Sequence, residues 1–292
     1  MRILLLIVTN LAVSLLLGLV FFGLEATGVL PQGQWAQLFV FSTVFGFGGA
    51  FVSLLLSKTI AKWSLGVAVL GPPRDETEHW LIETVRQHAT RAGIAMPEVG
   101  IYDSAEPNAF ATGWSADHSL VAVSTGLLRA MRREEVSAVL GHEVSHAANG
   151  DMVTLTLLQG VLNTFVIFFS RVIGSVVDAA LSRGERDRRG GGFAYVITVF
   201  VAQMLLGLGA SLVVAWFSRY REFRADAGGA ALTSPAAMAG ALDALRRADD
   251  STDLPESMTA FGIRGGDIAR LFASHPPLEE RIARLRALPP PR

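Results

Sequence analysis

His142-Glu143-Val144-Ser145-His146 is the stretch from which the rest of this 292-residue chain is best read. On a helix, residues four apart lie one above the other, so the two imidazoles can point at a single metal ion. Glu143, one step round from the first histidine, can then reach a water bound to that ion. The flanking Val139, Leu140, Gly141, Val144, Ser145 and Ala147 are uncharged, so nothing nearby competes with the ligands. Such a pattern arises by chance in about one in a hundred chains of this composition. That rarity sets the competing picture, a surface helix with two solvated histidines, well behind.

The surroundings ask for lipid. The chain is 51% hydrophobic and only 17% charged, with a mean hydropathy of +0.41, whereas ordinary soluble domains are about a quarter charged. A net charge of -1 without an extended basic run argues against nucleic acid as a partner. There is no cysteine, so disulfides are excluded and any metal site must use His and carboxylate. Four apolar stretches, at 3–24, 36–56, 152–177 and 193–217, approach or exceed the roughly 20 residues that span a bilayer. The first is longer than the about 7–15 apolar residues of a signal peptide and lacks a small-x-small cleavage site, so it reads as an uncleaved anchor.

Lysine and arginine set the orientation. The loop from Glu25 to Gln34 has neither, while Lys58, Lys62 and Arg74 follow the second stretch, which puts both ends of this hairpin and the H-E-x-x-H run on the cytoplasmic side. The second pair is less regular. Its connector, Ser182 to Gly190, is net positive, and Arg171 and Asp178 interrupt the third stretch. Two crossings are favoured over partial insertion, with charges near a span end reaching for the headgroups. The expected division is a membrane hairpin at 1–57, the first part of a cytoplasmic metallopeptidase domain at 58–151, a second hydrophobic hairpin at 152–217 and the rest of the catalytic domain at 218–292.

The segments outside the spans read as a mostly helical domain. Asp75 to Ala92 has apolar or small residues at Leu81, Thr84, Val85, His88 and Ala89 and a stop at Gly93, the pattern of an amphipathic helix. Val99, Ile101 and Leu120-Val121-Ala122-Val123 predict a small sheet. The histidine helix runs from about Arg133 to Ala148 and stops at Asn149-Gly150. Further helices begin at Ser234-Pro235 and at Ser274-His275-Pro276-Pro277, the last continuing through Ile282. Gly46, Gly48, Gly49, Ala50, Gly207 and Gly209 are expected to let spans pack closely, and His79, His88 and His118 to be surface or satisfied core residues.

Two histidines need a third protein ligand, with a fourth position left for water. Glu222, in Tyr220-Arg221-Glu222-Phe223-Arg224-Ala225-Asp226 directly after the fourth stretch, fits best. Asp226, one turn further along the same face, is placed to accept a hydrogen bond from a metal-bound imidazole. The plainer reading of this segment is juxtamembrane charge, with the acids as partners of Arg219, Arg221 and Arg224.

Pro107-Asn108-Ala109-Phe110-Ala111-Thr112-Gly113, Gly141 to His146, Arg221 to Asp226 and Ser274-His275-Pro276-Pro277, in that order behind an apolar hairpin, resemble the HtpX-type membrane zinc metalloproteases, relatives of the CAAX prenyl endoproteases. The resemblance covers nearly the whole chain. It implies an α-helical multi-pass membrane protein with a mostly helical α+β zincin, a gluzincin-like catalytic domain with a small β-sheet. It further implies one Zn2+ per chain on His142, His146 and Glu222, and Glu143 as general base. The expected enzyme is a zinc metalloendopeptidase of the bacterial inner membrane, acting on polypeptides, chiefly damaged or misfolded membrane proteins.

An acyl-transfer site also needs a donor for the oxyanion. His275 is the leading catalytic candidate, against the plainer reading of a polar residue beside a proline-started helix. Arg281, which has glutamates of its own helix to pair with, and Tyr220, which points away from Glu222, stand behind it. Asn108, Ala109, Phe110 and Ala111 are expected to bind substrate at a strand edge by β-augmentation. The rival reading from another class is a non-proteolytic membrane scaffold whose metal is structural and closed by four protein ligands.

Overall fold

The computed structural model describes residues 34–181, 192–250 and 275–288. The first apolar stretch, the loop up to residue 33, the connector 182–190 and Ser274 lie outside the described residues. The chain divides into two compact units, Met1–Ser53 with Thr154–Val214, and Leu54–Val153 with Ala215–Arg292.

The described part of the first unit consists of residues 34–53 of α1 (Gln34–Ser64), 154–181 of α5 (Asp151–Leu181) and 193–214 of α6 (Phe193–Leu232), the remaining residues of these helices belonging to the second unit. Each is long and apolar enough to cross a membrane. At about 1.5 Å per residue, 31 residues reach about 46 Å and 40 reach about 60 Å, against a hydrocarbon core of about 30 Å. Their outer faces carry exposed Val40, Phe45, Phe200 and Leu205, a surface suited to lipid rather than water. Among the described residues, close approaches occur at Gly46 and Gly174. A Cβ at Gly46 would lie 2.5 Å from the Thr164 backbone, and one at Gly174 would lie 2.4 Å from Val199. Gly48, Gly49, Gly207 and Gly209 meet no described atom within 4 Å. A run of small residues winds round a helix, and only those on the contacting face can shorten an interhelical distance.

In the second unit a four-stranded sheet has the order β1-β2-β4-β3, with β1 at Ala68–Val69, β2 at Glu98–Tyr102, β3 at Ala109–Gly113 and β4 at Ser119–Ser124. β2 and β4 are parallel, while β1 and β3 run antiparallel at the edges. All six residues of β4 are buried, because both faces of this strand are covered. Val121 and Val123 face the main core, and Leu120 and Ala122 face a smaller cluster with Val67, Tyr102 and Phe110.

Among the described residues, helices α2 (Glu76–Ala92), α3 (Thr125–Ala130), α4 (Arg133–Asn149), α7 (Pro235–Asp250) and α8 (Leu278–Arg286) also lie in this unit. α2 is started by the Asp75 carboxylate, which accepts from Glu78 N, and ends at Gly93 with φ 69; Leu81, Thr84, Val85, His88 and Ala89 are buried, as its periodicity requires. His88 Nε2 lies 3.0 Å from Ser137 O, whereas His79 and His118 are exposed. Lys58 and Lys62, at the end of α1, both pair with Glu98 of β2, at 2.8 and 2.5 Å. Helix α8 starts at Leu278 rather than at His275, with Pro277 extended at ψ 136. Each residue that precedes a proline is pushed out of the helical region, so the His275-Pro276-Pro277 run can only lead into the helix.

Candidate metal centre

Helix α4 is built to hold its histidines still. At its start, Glu135 reaches back to accept from the Arg132 backbone N–H at 2.8 Å. At its end, Gly150 adopts φ 68 and donates to the Ala147 carbonyl. Val136, Leu140, Val144 and Ala147 bury one face in the core, which leaves His142 and His146 on the adjoining face with their rings perpendicular and 4.6 Å apart.

The partner helix comes exceptionally close. Gly228 and Gly229 of α6 face α4; a Cβ on Gly228 would lie 2.5 Å from Ser145 Oγ, and one on Gly229 would lie 3.0 Å from His142 N. This approach carries Glu222, only 2% exposed, up to the histidines. His142 Nε2 and His146 Nε2 are 3.1 Å apart, and the Glu222 carboxylate lies 3.5 Å from the first and 3.3 Å from the second. Donors in tetrahedral array at about 2.1 Å from one ion are separated by about 3.4 Å. The two ring nitrogens stand near that separation, each facing a different Glu222 oxygen (Oε2 for His142, Oε1 for His146), and the three side chains offer the N and O donor types zinc accepts. Among the described residues this group has three members.

Charged neighbours surround the donors. His142 Nδ1 lies 3.0 Å from Asp226 Oδ1; the contact is short but off the N–H axis, so it is an ion contact more than an aligned hydrogen bond. Arg281 of α8 grips Asp226 with two parallel bonds of 2.8 and 2.7 Å, and its third nitrogen stands 3.4 Å from Glu222. His146 Nδ1 donates to Asp151 at 2.7 Å. His275, although its side chain is 64% exposed, hydrogen-bonds Glu222 at 2.8 Å.

These contacts set the protonation states of the metal-free centre. Burial alone would raise the Glu222 carboxyl, but hydrogen bonds from His142, His146 and His275 outweigh it and hold the group well below the usual carboxylate range. Asp226 is lowered in the same way, with Arg281 the main force opposing burial. Burial disfavours charge on His142, yet Asp226 and Glu222 raise it overall. For His146 burial is likewise outweighed, by Asp151 and Glu222, and the ring is raised to about 9.

Beside the donors lies a cleft of about 180 Å³. Glu143, His275 and Arg281 face it, with Met238 and Leu242 of α7 on one wall and Asn108 and Ala109 at the rim. Among the described residues β3 is an edge strand, paired with β4. Of its residues, Phe110 turns to the far side and packs on Tyr102 at 5.7 Å, while Ala111 packs against the main core. Tyr220 is 56% exposed and does not line the cleft. Arg281 pairs with Asp226, not with its own helix, where Glu280 takes Arg284 instead. Three features escaped the sequence: Asp151, the Gly228-Gly229 approach, and the clamp by Arg281. An acid directly after the Asn149-Gly150 stop was a legible signal for the first, and a paired glycine one turn after Glu222 and Asp226 for the second.

A His-His-Glu donor set with an adjoining carboxylate, on a mostly helical membrane scaffold with a small mixed sheet, defines a membrane metallopeptidase. The chain belongs to peptidase family M48, which it matches over residues 75–288. It is 56% identical over 289 residues to Protease HtpX of Xanthomonas campestris pv. campestris (strain B100), spanning 98% of this chain and 97% of that protein. Protease HtpX of Aeromonas hydrophila subsp. hydrophila is 57% identical over 288 residues, with 98% and 99% covered. The crystal structure of S. mikatae Ste24p shares the fold, with a TM-score of 0.63 and 18% identity over 96% of this chain and 66% of that one. The chain is thus a protease and a hydrolase of the metallopeptidase kind.

Proposed function

We propose that this protein is a zinc-dependent endopeptidase of the bacterial inner membrane, with its catalytic domain at the cytoplasmic face, that removes damaged or misfolded membrane proteins. The observation that carries the chemistry is the convergence of His142, His146 and Glu222, whose donor atoms gather closely enough for one ion. The cytoplasmic placement is supported by Lys58, Lys62 and Arg74 following the second apolar stretch. The proposed division remains membrane hairpins at 1–57 and 152–217 and catalytic segments at 58–151 and 218–292.

A zinc ion held by these three residues would acidify a water and polarise the scissile carbonyl. Glu143, facing the cleft, takes the proton of the attacking water and returns it to the departing amine. The β3 edge and the rim at Asn108 and Ala109 hold the substrate backbone as an added strand, with Phe110 and Ala111 anchoring that strand from its two faces. His275 is the cleft's mobile polar group: its exposed ring can leave Glu222 and donate to the carbonyl oxygen as charge develops there. Arg281, with two nitrogens committed to Asp226, acts mainly by fixing that carboxylate.

The test uses full-length protein in detergent and an unfolded model polypeptide. Glu143→Gln is expected to retain one zinc per chain and to lose cleavage by at least a hundredfold, and a chelator is expected to abolish cleavage by the wild type. Undiminished hydrolysis by the variant refutes the mechanism.

A further inference from the structure

We infer that Asp151 is a positioning residue of the metal centre, one that fixes the His146 ring and sets how tightly the ion is held. This rests on reading His142, His146 and Glu222 as the metal-binding set. Asp151 stands at the junction of two helices. α4 ends at Asn149, Gly150 turns the chain with φ 68, and Asp151 opens α5, one of the three helices long enough to cross a membrane. The turn folds the Asp151 side chain back over the last turn of α4, where it is 2% exposed and its Oδ2 accepts from His146 Nδ1 at 2.7 Å.

That bond has a defined consequence. With Nδ1 carrying the hydrogen, the lone pair of the neutral ring sits on Nε2, and Nε2 is the atom that faces His142 Nε2 and Glu222. The two imidazoles are also supported unequally. Asp226, behind His142, shares its charge with the Arg281 guanidinium. Asp151 pairs with His146 among the described residues, and its carboxylate meets the ring at the nitrogen turned away from Glu222. A carboxylate that accepts from the far nitrogen of a metal-binding imidazole orients the ring and makes it a more basic donor. The same residue is the first of α5, so the metal's second histidine is steadied by the end of a membrane helix.

The plainer role for an acid at this position is to complement the positive end of the α5 dipole. Asn is a good residue at helix starts and keeps an oxygen acceptor, so Asp151→Asn preserves helix initiation while removing the charge. Zinc affinity of the full chain in detergent, measured by competition with a chromophoric chelator, is expected to fall about 10–100-fold in Asp151→Asn. Circular dichroism should show its helix content unchanged. Asp151→Glu, which restores the charge, should recover most of the affinity. Should Asp151→Asn lose helix content, the Asp151→Glu comparison decides alone: a folded Glu variant that binds no better than the Asn variant overturns the inference. Wild-type affinity in Asp151→Asn, with affinity lost in Glu222→Ala, overturns the inference and leaves the metal site standing. Unchanged affinity in both variants overturns the metal-site reading itself.

Discussion

Gly228→Ala tests the claim that helix proximity builds the donor set. The added Cβ would lie 2.5 Å from Ser145 Oγ and 2.7 Å from Ser145 Cβ. Carbon atoms in contact prefer about 3.5–4.0 Å, so the shortfall is about 1 Å. The serine hydroxyl can rotate away, but Cβ is fixed to the α4 backbone, so α6 must retreat from α4. Overpacking of this kind costs about 1–3 kcal/mol. Glu222 rides on α6, and a zinc–oxygen bond of about 2.0–2.2 Å cannot be stretched by half its length. The expected outcome is a lowered unfolding temperature and zinc affinity reduced at least tenfold, by thermal melts and chelator competition on the full chain. Removing the obstacle should reverse both: Gly228→Ala with Ser145→Gly should bind zinc better than Gly228→Ala alone. Wild-type affinity and melting in the single variant would refute the reasoning, because the two helices would then have slack that the geometry denies.

Two more expectations follow from the buried charges. Arg281→Met leaves the Asp226 and Glu222 carboxylates buried without their guanidinium and should lower the stability of the metal-free protein by about 3–5 kcal/mol in denaturant titration; an unchanged midpoint would remove Arg281 from the site. The metal-free protein should also show a stability maximum on the mildly acidic side of neutrality. His146 is raised to about 9, so its contribution is complete below its ordinary value and is lost as pH climbs through about 9. Glu222 and Asp226 are lowered, so theirs is present above the ordinary carboxylate range and is lost in acid as each is protonated. Zinc must displace the His146 proton, so zinc affinity should rise between about pH 6 and pH 9 with proton release on binding. An affinity flat across that window would contradict the assignment.

Local chemistry was written into the sequence. The i, i+4 spacing of His142 and His146, the stop at Gly150, the stop at Gly93 and the apolar stretches along α1, α5 and α6 all depend on residues within a turn or two of one another. Glu222 and Asp226 were legible for the same reason: one helical turn separates them, and the missing third ligand had to be an N or O donor.

What tertiary structure decided is everything that depends on the distance between elements far apart in the chain. Periodicity records which face of a helix is apolar, not which glycine meets a neighbour, so the pair Gly228-Gly229 was visible in the sequence without naming α4 as the element it meets. Arg281 lies 55 residues beyond Asp226, and no local rule couples them; only the packing of α8 against the site brings guanidinium to carboxylate. Phe110 and Ala109 are adjacent in sequence, yet strand alternation sends one to the far cluster and leaves the other at the cleft. The sequence thus determined the donor types and their helix, because those follow from spacing along one chain segment. The fold determined that the two imidazoles and the Glu222 carboxylate meet, because that meeting is set by how closely two backbones can approach.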